Sequence, residues 1–307
     1  MAFCNTVSPQ LLSQPDLLRY FDTAIASGKF ESTSQLLESH FRGSIAGSDK
    51  FKEGVPRFLE WWIAEEFWIT DHGRIIQNPV FDGTTFSHRV MKFLLSRTSS
   101  QNFFINTNEP AVIRAITALA IQDNCTLLDG NPLDKAELSA RLNSVYPEDS
   151  SHESIPEESR AIAKGNKLTT NDSEIGPTIS WCHQLGVLTP WPENAYFVDL
   201  APMVEAFLPE IAALLDEKIV PADQFIKAVG EVLPFLDHGL YNSIARALAK
   251  RSVGESEAVS EVLSAAIFRL RQKKILSPLL SSDDPNTIDF FTDGKMIERV
   301  SKVEILL

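Results

Sequence analysis

The spacing of large apolar residues divides the chain into three blocks, each a set of helices followed by short strands. Near the N-terminus a Ser8-Pro9 helix-entry signal precedes Leu11, Leu12, Leu17, Leu18 and Phe21. A second helical run from Glu31 to Phe41 carries Leu36, Leu37 and Phe41. After a Gly/Ser-rich loop from Gly43 to Gly54, Pro56 is placed to open a third helix bearing Phe58, Leu59, Trp62 and Ile63, because proline is tolerated in the first helical turn. Then the period changes. Phe67-Trp68-Ile69 and Arg74-Ile75-Ile76 flank Asp71-His72-Gly73, which predicts two short strands about a tight turn. Residues Phe81 to Phe104 read as a further helix plus a short apolar run.

The second block begins at Glu109-Pro110, with Val112, Ile113, Ile116, Leu119 and Ala120 on one helical face, and continues in a helix from Leu133 to Tyr146. Between Pro147 and Gly176 the chain is acidic, Ser-rich and poor in large apolar side chains. Such a stretch buries too little surface to offset its ordering entropy, so it predicts an exposed insertion. Pro177 to Leu185 reads as a helix closed by Gly186, whose lack of a Cβ suits the position after a helix end. Val187-Leu188 and Tyr196-Phe197-Val198 read as paired strands, and Met203 to Leu215 as an amphipathic helix. The third block has helices over Ala222 to Leu236, Tyr241 to Lys250 and, longest, Ser256 to Lys273. Two strands follow, Thr287 to Phe291 and Ile297 to Leu306, about the turn Asp293-Gly294.

Three helix-to-strand junctions line up: Phe58-Leu59-Glu60-Trp61-Trp62-Ile63 into Phe67-Trp68-Ile69, Ile179-Ser180-Trp181-Cys182-His183-Gln184-Leu185 into Gly186-Val187-Leu188, and Ile267-Phe268-Arg269-Leu270-Arg271-Gln272 into Lys273-Lys274-Ile275-Leu276. Each is a helix whose last turn runs directly into an apolar strand, with a turn and a returning strand behind it. This layout resembles tandem winged-helix proteins. The expected fold class is therefore mainly α with short β-hairpins (α+β), in three units: 1–107, 108–217 with an acidic insertion at 147–176, and 218–307. In size and layout the chain resembles accessory proteins of prokaryotic DNA-modification or phage-defence clusters. That resemblance implies a non-enzymatic adaptor or scaffold whose partners are helicase, nuclease or other DNA-acting subunits.

Composition narrows the partners. With 44% hydrophobic and 22% charged residues the chain is globular in character, and no apolar run reaches membrane-spanning length. The first twenty residues lack a basic stretch followed by an apolar one, so no secretory leader is expected. Cys4, Cys125 and Cys182 are too widely spaced for a disulfide framework or zinc knuckle and read as reduced thiols in a cytoplasm. Net charge is −13, but the segment from Leu240 onward holds ten Lys/Arg against nine Asp/Glu. Duplex DNA binding draws on displaced counterions and needs a positive face, so any such contact belongs to the C-terminal unit. Its candidates are Arg246, Lys250 and Arg251 on one helix and Arg269, Arg271, Lys273 and Lys274 at the end of the next. The alternative function is accordingly a DNA-binding regulator using that unit.

Enzymatic motifs are missing from the sequence: it has no P-loop, no G-x-G-x-x-G, no G-x-S-x-G and no H-E-x-x-H. Neither a cofactor nor a metal nor a catalytic residue is therefore expected. Cys182 and His183 are adjacent and would diverge by about 100° on a helix. Asp82 with His88 is a general-base pair by spacing alone. Trp61, Trp62 and Trp68 are read as core and hairpin residues, with base stacking as the competing use; Glu60, Glu65 and Glu66 beside them would repel phosphate.

Overall fold

A computed structural model of the chain describes residues 14–41, 49–98, 111–122, 132–145, 172–249, 259–280, 287–292 and 295–306. Helix α1 (Pro15–Ser27) has proline in its first turn and buries Leu18, Phe21 and Ile25 at helical spacing. Phe30 bridges Ile75 on the way to α2 (Thr33–Phe41) and α3 (Asp49–Ala64). The α3 helix runs into β1 (Trp68–Asp71), which pairs antiparallel with β2 (Arg74–Gln77). His72 and Gly73 both have positive φ (46° and 76°), the two-residue turn whose twist matches that of the strands. Helix α4 (Phe86–Ser96) follows, its Thr85 hydroxyl capping the His88 amide.

The second series is α5 (Ala111–Ala120), a bridge from Leu133 to Tyr196, α6 (Lys135–Asn143), α7 (Asp172–Gln184), β3 (Leu188–Trp191) and β4 (Ala195–Val198). The third is α8 (Ala201–Ala213), β5 (Ile219–Pro221), α9 (Ala222–Val232), α10 (Leu240–Leu248), α11 (Glu261–Gln272), β6 (Leu276–Leu280), β7 (Ile288–Thr292) and β8 (Lys295–Ile305). β8 pairs with β5 along one side and β6 along the other, and with β7 further up. The molecule is thus mainly helical with small antiparallel sheets, an α+β fold. Its buried apolar side chains form one connected cluster from Leu18 to Ile305. Every residue of α5 is buried, Arg114 and Thr117 included; the helix packs against α6, α7 and α10.

The three helix-to-strand junctions share one backbone device. In the first, the Glu66 amide donates to Ile63 O and the Phe67 amide to Trp62 O. In the second, Gly186 and Val187 donate to His183 O and Cys182 O; in the third, Lys274 and Ile275 donate to Arg271 O and Leu270 O. All six N···O distances lie between 2.8 and 3.0 Å. The pivot residues Glu66, Gly186 and Lys274 sit at φ 63°, 76° and 58°. This is a Schellman cap: a left-handed residue reverses the chain and satisfies two orphan carbonyls. Trp62 meets Phe67 ring to ring at 5.3 Å, and Cys182 and Leu270, at the equivalent position of the other two caps, are likewise buried. The pattern extends outward, because Phe67 O, Val187 O and Ile275 O accept in turn from Asn78, Asp199 and Leu306 on the returning strands.

Several sequence expectations need correction. Pro56 and Pro177 do not open helices; each lies inside one, α3 starting at Asp49 and α7 at Asp172. Proline removes one ladder hydrogen bond, and packing of the helix on the core outweighs that loss. The expected insertion from Pro147 to Gly176 therefore ends earlier, its last five residues being helical. The longest helix is α3 with 16 residues, not the one before β6, which starts at Glu261 and has 12. Strand β5 carries no alternation of its own and is held by pairing with β8. The Ser8-Pro9 signal, the Gly43 to Gly54 loop apart from its end, and residues 99–104 lie outside the described residues.

The pivots give a stability prediction. A non-glycine residue in the left-handed region costs about 1 kcal/mol, so Glu66→Gly and Lys274→Gly should each stabilise the fold by about 0.5–1 kcal/mol. Gly186→Ala should lose about 1–2 kcal/mol, since its Cβ would also meet Pro202 Cβ at 3.2 Å. Urea unfolding of the three variants, with unchanged slopes, checks this.

Candidate functional site

The basic residues singled out from the sequence lie around the end of α11. Helix α11 itself is covered: Glu261 to Ile267 are all buried, packed against α8 and β7. In a helix that enters a DNA groove, this N-terminal and middle portion carries the base contacts. Here it carries the core.

Four of the five described candidates face carboxylates of the same chain. Arg269 reaches Asp199 through Nη1. Arg271 donates through Nη1 alone to both carboxylate oxygens of Glu298, at 2.9 and 2.8 Å. Lys273 pairs with Glu205 on α8. Arg246 donates to Asn242 Oδ1 at 2.9 Å and lies 3.8 Å from Asp237. Lys274 is exposed at its pivot and has no carboxylate within ion-pair distance among the described residues. Lys250 and Arg251 lie outside the described residues.

Asp199 anchors this cluster. It follows β4, its Oδ1 accepts the Ala201 amide at 3.0 Å at the start of α8, and its side chain is 2% exposed. Burial raises its pKa, against the opposing pull of the Ala201 hydrogen bond and the Arg269 charge. The sequence reading missed Asp199, Glu205 and Glu298 as partners. The local signal at Asp199 is an acid two residues before a helix with proline in its first turn; nothing local points to Glu205 or Glu298.

A second polar cluster joins α4 to α8. His88 Nε2 lies 2.9 Å from Glu210 Oε1, and Lys92 Nζ 2.6 Å from the same oxygen. His88 is 3% exposed, its ring is 4.3 Å from that of Phe207, and its Nδ1 is buried without a hydrogen-bond partner among the described residues. A proton on Nδ1 would have no acceptor, so the neutral imidazole donates through Nε2. Burial lowers the His88 pKa, and Lys92 adds to this against the opposing Glu210 and Asp82 charges. For Glu210, burial pulls upward, but the Lys92 hydrogen bond and the neighbouring charges bring the net shift down.

A third cluster lies wholly inside the first block. Asp22 accepts from Trp68 Nε1 and Gln77 Nε2 at 2.9 Å each and lies 3.4 Å from Arg89 Nη2. Burial raises its pKa despite these donors. Arg89 lies over the Phe67 ring at 5.3 Å.

Cys182 is fully buried and its thiol is pushed up to about 12 by burial, while His183 is exposed and its Nδ1 faces Leu188 O at 3.1 Å. Asp82 Oδ1 accepts the Gly83 amide. Trp62 and Trp68 are fully buried, and the half-buried Trp61 packs edge-on against Trp62. A large exposed aromatic does occur elsewhere: Trp191 at the tip of the β3–β4 hairpin, 54% exposed. Among the described residues no cluster of three or more potential metal ligands occurs, and no helix is long and apolar enough to cross a membrane.

Two predictions follow from these contacts. Arg269→Ala should destabilise the protein by about 1–2 kcal/mol, less than for a sealed pair because Arg269 is 39% exposed. Adding Asp199→Asn should restore part of that loss in urea unfolding, because an amide oxygen still accepts from Ala201. As to pH, a histidine with a lowered pKa in the fold binds its proton more readily when unfolded. Its contribution is therefore present above about pH 6.5, the ordinary histidine value, and lost as pH falls below it. Unfolding at pH 5.5 and 7.5 should show a smaller difference for His88→Gln than for the wild type.

Neither the search of curated proteins nor that of solved structures found a match. A sequence-family model described as DpdG-like matches residues 7–284, most of the chain.

Proposed function

Because the chain belongs to the DpdG-like family, which ties it to DNA-modification clusters, we propose that it is a non-enzymatic adaptor. In this reading, three winged-helix-like units (1–107, 108–217 and 218–307) hold protein partners, such as a helicase or nuclease subunit, within a DNA-modification or defence assembly. The observation that carries the reading is the fate of α11. The helix that a DNA-binding winged helix would present to the groove is buried along its N-terminal half, and three of the four basic residues at its end, Arg269, Arg271 and Lys273, are paired with Asp199, Glu298 and Glu205. Of the other two pre-hairpin helices, α7 packs on α1, and among the residues of α3 whose side chains are described the exposed Arg57 has the exposed Glu60 three residues on. The thrice-repeated junction supports the winged-helix-like division, and the net charge of −13 favours protein over nucleic acid.

The competing reading, a DNA-binding regulator acting through Arg246, Lys250, Arg251 and Lys274, is tested with the full chain. A fragment beginning at Ala222 is unsuitable, because it lacks Asp199 and Glu205 and so frees Arg269 and Lys273 artificially. In gel-shift assays the full-length protein should leave duplex DNA unretarded at micromolar concentration and low salt. Tagged in its native host, it should co-purify with a protein of its own DNA-modification cluster. Retardation that falls steeply with salt, without such a partner, would replace the adaptor by the regulator.

A further inference from the structure

We propose that the β3–β4 hairpin tip is a docking point for a protein partner that offers an apolar pocket, sized for an indole and rimmed by Lys or Arg. This rests on the adaptor reading and adds the surface used.

Thr189 to Asn194 are all exposed, and within them Trp191 stands between Pro190 and Pro192. The indole meets Phe197 edge-on at 5.1 Å, which fixes its direction while leaving 54% of it in water. The loop is stiff: two prolines fix φ, and Glu193 and Asn194 are both left-handed, at φ 66° and 59°. An aromatic side chain held on a rigid tip loses little entropy on binding, which is why tryptophan is enriched where interface energy concentrates.

The chain supplies its own control. Trp191 is the third residue after the strand start at Leu188; the same position is Asp71 in the first junction and half-buried Leu279 in the third. Asp71 closes its turn with no aromatic ring, so the fold does not require one there. Charge selects the occupant. Glu193 flanks the indole, and the Leu133–Tyr196 bridge sets exposed Asp134 and Glu137 of the α6 capping box beside the same hairpin, against Lys135. That rim repels phosphate and complements a basic protein surface.

The test uses full-length wild type, Trp191→Ala and Glu193→Lys against each purified subunit encoded in the same DNA-modification cluster, with duplex DNA as a separate ligand. One subunit should bind the wild type, with affinity falling as salt rises. Trp191→Ala should weaken that binding at least about thirtyfold, and Glu193→Lys by about three- to tenfold. Glu193→Lys keeps the indole, so it reports on the rim even if Trp191→Ala proves less soluble. If a subunit binds wild type and both variants equally, the docking point is wrong and the adaptor reading survives. If no subunit binds the wild type, both fall. Duplex DNA binding that Trp191→Ala abolishes would show that the tip serves nucleic acid instead.

Discussion

A helix that passes into a strand with three intervening residues must satisfy its last carbonyls inside that short span. Left unpaired in the core, each would forfeit more free energy than a typical hydrogen bond contributes. In this chain the solution is a left-handed pivot, used at Glu66, Gly186 and Lys274. Once the pivot is set, the next residue is directed inward, the strand leaves the helix end at one angle, and the returning strand is positioned to donate back to that inward residue. The hairpins, the bridges at Phe30 and Leu133 and the pairing of β5 with β8 all depend on that geometry. That two of three pivots are glutamate and lysine shows that the reversal is enforced by the packing around it, since neither residue favours the conformation.

What could be read from the residues was whatever is local and periodic. Helices α5, α8 and α11 and the hairpins were visible as apolar stripes and turn residues, because one residue's burial predicts the next at fixed spacing. Pro56 and Pro177 misled for a definite reason: propensity rules weigh a proline against an isolated helix, whereas here each helix is held by its neighbours. The candidate site was legible as a cluster of positive charge and illegible as a paired one. Arg269 and Asp199 are 70 residues apart, Lys273 and Glu205 68, and contacts at such separation leave no mark in local spacing.

The acids of α8 give that helix two tasks. Its apolar face packs on α9 and α11, while Asp199 before it and Glu205 on it take up charge from the end of α11, and Glu210 meets His88 and Lys92 of α4. A segment following the second hairpin thereby ties the first block to the third. Two of the acids in the first 239 residues, Asp199 and Glu205, thus lie against basic residues of the last segment, which is nearly balanced in itself. The formal net charge of the whole chain is −13.

The register of the second hairpin decides what its free edge offers to another strand. Tyr196 exchanges both backbone bonds with Leu133, so Pro190 opposite it turns its nitrogen to the open rim of the hairpin. At that rim a ring nitrogen without hydrogen stands, on an exposed residue, where an amide could recruit a foreign strand. The backbone thereby offers one donor fewer along that edge, so what the hairpin tip presents to its surroundings is set by its side chains.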